Sequence, residues 1–399
     1  KINKVNIEKQ YKGKNQIIRE ILYKRGITGK EKINKFLDPD IENLHDPYLL
    51  KDMDKAVKRI KKAINNDEKI IIYGDYDVDG ITATTLLINY FQKKFDKQID
   101  FYLPDRIKEG YGKKKKAIEY FYQKEYDLII TVDCGITNCQ EISLAQNKGI
   151  DVIVTDHHQP DKNLPEAEAI LDPYRKDDQY PFSNLAGVGV AFKLCQALEK
   201  KYSNNLTTSL LYKQLDIVTL GSVADIVPLK DENRIFVNEG LELIPNTEKL
   251  GLNILLKKLG LDDKKLTAGK IGYILAPPLN ACGRMESAEM GIKLLTTDSR
   301  SVATNTAEKL IKINKKRQQE EENTLNQALA MIEEKNLEEK RAIVLSSEQW
   351  HPGVIGIVAS RIVDKFYLPT ILIAIDEDMG KGSCRSIKNL NIYKALTNC

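Results

Sequence analysis

From residue 70 onward, short apolar runs alternate with stretches of helical periodicity. Ile70–Tyr73, Phe101–Leu103, Leu128–Val132, Val152–Thr155 and Ala169–Leu171 are short, apolar and followed by turn chemistry, which predicts buried strands of a parallel sheet. Ile81–Lys94, Lys115–Lys124 and Asn138–Lys148 read as the crossover helices between them. This alternation predicts an α/β layer arrangement, in which ligands bind beyond the carboxyl ends of the strands. Residues 1–67 are Lys-rich and mostly helical in pattern, with a break at Leu37-Asp38-Pro39-Asp40, and the pattern turns helical again from Leu185 to Leu220. Ser301–Glu334 contains no Gly or Pro and places Leu325, Ala328, Leu329 and Ile332 at i, i+3, i+4, i+7. It is expected to form one long charged helix joining two domains. A second α/β rhythm follows: strand Ala342–Leu345, helix Val354–Phe366, strand Thr370–Ile375 and a Gly-containing segment Gly380–Ile387.

Composition narrows the class. The 399 residues suit two to three domains, and an apolar share of 42% suffices for a core. Lys and Arg exceed Asp and Glu by 61 − 57 = 4, too small an excess to argue for or against a nucleic-acid partner. No apolar run approaches the ~18 residues of a membrane span, and the polar N-terminus has no secretory core. Six scattered cysteines (134, 139, 195, 282, 384 and 399) do not form a disulfide framework and read as reduced thiols. A cytoplasmic globular protein is therefore expected, with no membrane partner. The chain begins without Met and stops straight after a helix-like segment, which reads as a fragment of a longer protein.

The predicted strand ends hold the reactive residues. Gly74-Asp75-Tyr76-Asp77-Val78-Asp79-Gly80 follows the first strand, with three carboxylates at alternate positions of one loop. Such a cluster repels itself unless cations neutralise it. An EF-hand loop opens the same way, but position 12 would be Leu86 rather than Glu, and a strand precedes the loop where a helix is required. Asp133 follows the third strand, where a lone Asp is equally a helix N-cap. Thr155-Asp156-His157-His158 follows the fourth. Two His near a Pro are ordinarily a surface pair, but their register with two acidic strand ends favours a site. Gly221–Leu229 places Asp225 inside an apolar run, where an unpaired carboxylate needs a cation or strong donors. Asp75, Asp77, Asp79, Asp133, His157 and Asp225 are thus expected to converge. Oxygen-rich sites with an imidazole suit Mn²⁺ or Mg²⁺. Two ions ~3.5–4 Å apart bridged by a carboxylate suit in-line attack on phosphorus, with no Ser or Cys nucleophile. Cys134 and Cys139 are not a zinc pair, because the spacing is wide and no second pair exists.

The stretches DYDVDG, VDCG, TDHHQP and GSVADIVPL, in this order, resemble the four motifs of the DHH phosphoesterase superfamily. LPDRIKEGYG (103–112), NLAGVGVAFKL (184–194), ILAPPLNACGRM (274–285), WHPGVIGIVASRI (350–362) and GKGSCRSI (380–387) are similar to its single-strand-specific 5′→3′ exonuclease branch. The resemblance implies a parallel-sheet DHH domain joined by a long helix to a second, smaller α/β DHH-associated domain. The corresponding divisions are a helical extension at 1–50, the DHH domain at 51–230, a helical connector at 231–335 and the associated domain at 336–399. It implies that Asp77 and Asp79 hold two different ions, that Asp133 bridges them, and that His157 and Asp225 belong to the second. His158 would contact the scissile phosphate or complete the site, and Asp75 would be a ligand or stand just behind one.

The associated domain is implied to grip the strand through Gly382, Ser383, Arg385 and Ser386: close backbone approach, hydroxyl donors and a guanidinium fork. Arg106 and Arg284 are further phosphate candidates, with an ordinary surface ion pair as the lesser alternative for each. Trp350-His351 is divided between a packed strand end and a base or phosphate contact. Two departures stand out. Tyr73 replaces a His found in related phosphatases, and Cys384 replaces a usual Gly. The branch usually adds a Gly-Gly-His segment and an OB-type barrel, and neither occurs in this sequence. The implied activity is two-metal hydrolysis of single-stranded DNA to mononucleotides in repair and recombination, by a monomer partnered by single-strand-binding protein and a helicase. A phosphoesterase of short oligonucleotides or cyclic dinucleotides, and a catalytically silent replication scaffold, are the alternatives.

Overall fold

The computed structural model describes residues 16–104, 113–200, 209–262, 265–377 and 379–398. Five strands form a parallel sheet: β1 (Ile70–Gly74), β2 (Asp100–Tyr102), β3 (Leu128–Val132), β4 (Asp151–Thr155) and β5 (Ala169–Leu171), in spatial order β2-β1-β3-β4-β5. β1, β3 and β5 are buried throughout, as expected of a sheet covered on both faces. Alternation sorts the side chains. Ile70 and Ile72 enter one core with helices Met53–Asn65, Val78–Phe95 and Gly187–Lys200, while Ile71 and Tyr73 enter the other with helices Lys113–Gln123 and Cys139–Asn147. The chain leaves β1 toward β2 and then returns to its other side as β3, so strand order reverses at β1. Loops leaving β1 and β3 therefore splay apart at their carboxyl ends, which opens a crevice there.

Arg300–Glu334 forms one helix of 35 residues, about 52 Å long at 1.5 Å per residue. Its first half buries Ala303, Ala307 and Leu310 in the main core. Its second half buries Leu325, Ala328 and Ile332 in a separate core. That second core lies on a three-stranded sheet, β6 (Ile343–Ser347), β7 (Thr370–Asp376) and β8 (Met379–Arg385), with β6 and β7 parallel and β8 antiparallel. The glycine-bearing segment of the sequence is thus a hairpin strand. Gly382 pairs with Ile373, and Cys384 stands mid-strand opposite Ile371.

Candidate metal centre

Asp77 caps the helix that follows β1, with the Asp79 and Gly80 N–H groups donating to its Oδ1 at 2.9 and 3.1 Å. The helix begins at Val78, three residues earlier than periodicity suggests, so Asp79 lies in its first turn. The Asn280 side-chain oxygen accepts from the Val78 N–H at 3.0 Å. It belongs to helix Ala276–Met285, which lies against the loop so closely that a Cβ on Gly283 would stand 2.0 Å from the Tyr76 carbonyl oxygen.

Asp79 is buried. Its carboxylate accepts from the Gly187 and Val188 N–H groups at 2.6 and 2.8 Å, the first residues of helix Gly187–Lys200. Backbone donors and the positive helix end both favour the ionised form. Burial and the nearby Asp225 and Asp77 outweigh them and push its pKa well up. Asp133, just past β3, takes a left-handed φ of 58° that Asp tolerates. It packs so tightly that a Cβ on Gly187 would lie 2.6 Å from its own. Burial, then Asp79, Asp77 and Asp75, raise its pKa far above the carboxylate range.

His157 stands at the hub. Its Nε2 is 2.9 Å from Asp133 Oδ1 and 3.6 Å from Asp79 Oδ2, and its Nδ1 is 3.8 Å from Asp225 Oδ2. Burial and the adjacent His158 push its pKa down to about 4, so the ring is neutral, as a metal ligand must be. Asp133 Oδ1 is buried with no hydrogen-bond donor. Asp133 Oδ1 and His157 Nε2 thus stand 2.9 Å apart, both ligand-type atoms in a buried pocket. Ligand atoms group as Asp75–Asp77–Asp133, as Asp79–His157–Asp225 and as Asp133–His157–His158, each within 4.8 Å. Asp133 and His157 are shared between groups. A bare carboxylate cluster this buried resists ionisation, whereas divalent cations restore it, so the donor set fits a pair of such ions. Asp225 differs from its sequence reading. It is half-buried at the end of helix Leu215–Ala224 rather than deep in an apolar run, and burial and Asp77 raise its pKa to about 6.

Sequence reasoning missed the residue that tethers both histidines, His157 by its backbone N–H and His158 by its backbone and ring. Asp156 is buried, and its Oδ1 accepts from the His157 N–H (2.7 Å), the His158 N–H (3.2 Å) and His158 Nδ1–H (2.8 Å), while its Oδ2 accepts from the Ile136 N–H at 2.9 Å. The side-chain bond to Asp156 raises the His158 pKa to about 9, leaving a cation at the exposed rim of the site. The signal was available, since Asp156 follows β4 as Asp133 follows β3. Asp156→Ala is expected to lower Mn²⁺ affinity and turnover by about 10–100-fold, the usual cost of losing a ligand-orienting partner. Titration of metal-dependent activity checks this.

The remaining candidates disperse. Arg106 lies outside the described residues. Arg284 lines a cleft of about 560 Å³ together with Ile226, Tyr273, Arg317 and Ile357. Trp350 is core rather than a base platform: it is buried, and its Nε1–H donates to Gln327 Oε1 at 2.9 Å. His351 is half-buried and its Nδ1 accepts from the Gly353 N–H at 3.0 Å. Arg385 donates through Nε to Ser360 Oγ (2.9 Å) and through NH1 to Ser383 Oγ (3.2 Å) and the Cys384 carbonyl (2.8 Å). The Ser386 hydroxyl donates to the Leu390 carbonyl at 2.6 Å, so its proton is committed to that turn.

Residues 69–222 match the DHH family, N-terminal domain, and residues 339–399 match the DHHA1 domain. The single-stranded-DNA-specific exonuclease RecJ of Bacillus subtilis (strain 168) is 42% identical over 385 residues, covering 96% of this chain and 48% of that protein. The Mn²⁺ complex of RecJ from Thermus thermophilus superposes with a TM-score of 0.80 at 31% identity, covering 95% of this chain and 53% of that one. A manganese-bound exonuclease RecJ structure superposes with a TM-score of 0.75 at 34% identity, covering 87% of this chain and 85% of that one. The chain belongs to the RecJ family of DHH proteins. It spans about half the length of the first two relatives. Within the RecJ fold, the carboxylate cluster sits at the reversal of strand order, and the AGVGVA stretch supplies the N–H groups that hold Asp79.

Proposed function

We propose that this chain is a two-metal 5′→3′ exonuclease that hydrolyses single-stranded DNA to mononucleotides. The observation behind this reading is Asp133, which joins the Asp75–Asp77 group and stands 2.9 Å from His157, the hub of the Asp79–His157–Asp225 group. Asp75, Asp77 and Asp133 would hold one Mn²⁺ or Mg²⁺, and Asp79, His157 and Asp225 the second, with Asp133 shared. Such ions activate water and stabilise charge on the phosphoryl oxygens. The chain's own residues do the rest. Gly187, Val188 and Asp156 fix the ligands, and cationic His158 faces the scissile phosphate. Arg284, His351, Gly382, Ser383 and Arg385, with Arg106, form the phosphate-contact set, which Ser386 would join only by leaving Leu390.

We assign the divisions 1–50, 51–230, 231–335 and 336–399, with one sheet in the second part and one in the last, although buried residues between Ile235 and Leu310 share the core of the first sheet. Among the described residues, no helix is long and apolar enough to cross a membrane. We assign a cytoplasmic monomer acting in repair and recombination. A 5′→3′ single-strand exonuclease consumes what unwinding supplies, so a helicase and a single-strand-binding protein are fitting partners. A degradation time course with Mn²⁺ tests the reading on unblocked, 5′-blocked and 3′-blocked single strands, duplex DNA and a cyclic dinucleotide. Loss of the unblocked and 3′-blocked single strands alone is expected. Cleavage of the cyclic dinucleotide alone would move the chain to the small-substrate branch, and no cleavage would point to a silent scaffold.

A further inference from the structure

Two backbone irregularities present apolar side chains to the same cleft beside the carboxylates. Ile226 directly follows Asp225 and sits at φ 61°, a left-handed conformation that a β-branched residue rarely adopts. Its side chain is 87% exposed. Tyr273 lies within a π-helical turn, Ile271–Leu275, and is 88% exposed. Such turns are rare and gather at functional sites, as does backbone strain. Single exposed apolar residues need no explanation, but these two line one cleft of about 560 Å³. That volume suits a nucleotide, and Arg284 from the same wall brings charge complementary to a phosphodiester, while Arg317 beside it is ion-paired to Glu321. Arg317 is held by Asn314 and by Glu321 at 2.5 Å, so its guanidinium is set in place. Because Asp225 and Ile226 are consecutive, whatever fills the cleft lies next to the metal-ligand groups.

We infer that Ile226 and Tyr273 clamp a nucleobase flanking the scissile phosphodiester, so that the chain binds its strand by base stacking as well as by phosphate contacts. This deepens the exonuclease reading and rests on it. Stacking on an aromatic ring is indifferent to base identity, which is what a sequence-tolerant enzyme needs. The left-handed turn at Ile226 directs a side chain outward where glycine would be conformationally easiest.

The test compares the unaltered protein with Tyr273→Ala, Tyr273→Phe and Ile226→Gly on two single strands, one normal and one abasic at the terminal and adjacent nucleotides. Tyr273→Ala is expected to raise KM on the normal strand by roughly tenfold and to leave the abasic strand unaffected, with Tyr273→Phe restoring binding. Ile226→Gly is expected to keep or raise Tm while weakening the normal strand alone, which separates lost contact from lost fold. Without turnover, in EDTA, fluorescence of 2-aminopurine at those positions should be quenched by the unaltered protein and by Tyr273→Phe but not by Tyr273→Ala. Equal losses on both strands, or no losses and no difference in quenching, would overturn the clamp. If the unaltered protein cleaves neither strand yet quenches 2-aminopurine, the exonuclease reading fails and base binding stands. If it does neither, both fail.

Discussion

Asp133→Asn is expected to reduce Mn²⁺-dependent phosphodiester hydrolysis by at least about a thousandfold, ~4 kcal/mol of transition-state stabilisation. Asp133 belongs to the Asp75–Asp77 group and stands 2.9 Å from His157, a member of the Asp79–His157–Asp225 group, so its loss is expected to reach both ion positions. The same substitution should leave the metal-free protein as stable as before or more so. Burial and four neighbouring carboxylates raise the Asp133 pKa in the fold, so the folded state binds its proton more tightly than the unfolded chain does. Stability is therefore lost as pH climbs from the ordinary carboxylate pKa toward the raised one. Asn has no such charge to hold, and its amide N–H can donate to His157 Nε2, 2.9 Å from the oxygen it replaces. Thermal melts at pH 8 check both halves. Saturating Mn²⁺ should stabilise the unaltered chain by about 2.7 kcal/mol at a hundredfold excess over Kd and should barely move the variant. A variant keeping a tenth of the activity would remove Asp133 from the bridging role.

Lys193→Met is expected to cost about 3–5 kcal/mol and on the order of 10 °C in Tm. Lys193 and Glu232 are both fully buried, at 0% exposure. Lys193 Nζ donates to Glu232 Oε1 (2.9 Å) and to the His45 carbonyl (2.6 Å). The His45 N–H and Tyr180 hydroxyl donate to the same carboxylate at 3.0 and 2.6 Å. Removing the lysine strands a buried anion, and that uncompensated charge dominates the cost. Combining Lys193→Met with Glu232→Gln should recover most of it, because Gln removes the charge, its oxygen still accepts from the His45 N–H, and its NH2 can donate to the Tyr180 hydroxyl oxygen. Urea midpoints of the two single variants and the double variant decide. Lys193 shares its helix with Gly187 and Val188, so the network also seats the donors of Asp79.

The strands and ligand types were legible because their signals are local. β3 and β5 coincide with the apolar runs that predict them, and Asp77, Asp79, Asp133 and His157 each follow an apolar strand. The helix after β1 was read three residues late because Asp77-Val78-Asp79-Gly80 has loop composition, whereas Asp77 is a cap and only its hydrogen bonds reveal it. Asp156 was overshadowed by the histidines it orients. Asn280, 202 positions from Val78, gives no local sign of its role, since its partner is set by tertiary packing. An aromatic before His-Pro-Gly reads equally as core or surface, and only its burial places Trp350 in the core. Ile226 and Tyr273 were hidden for the opposite reason: apolar residues inside apolar stretches imply burial, and only backbone geometry turns these two outward.

Everything proposed for the metal centre turns on one buried aspartate joining two ion positions. Anomalous diffraction from Mn²⁺-soaked crystals measures this directly. Two peaks per chain ~3.5–4 Å apart are expected, one against Asp75, Asp77 and Asp133 and the other against Asp133, Asp79, His157 and Asp225. A single peak, or two peaks that do not share Asp133, would contradict the bridged pair.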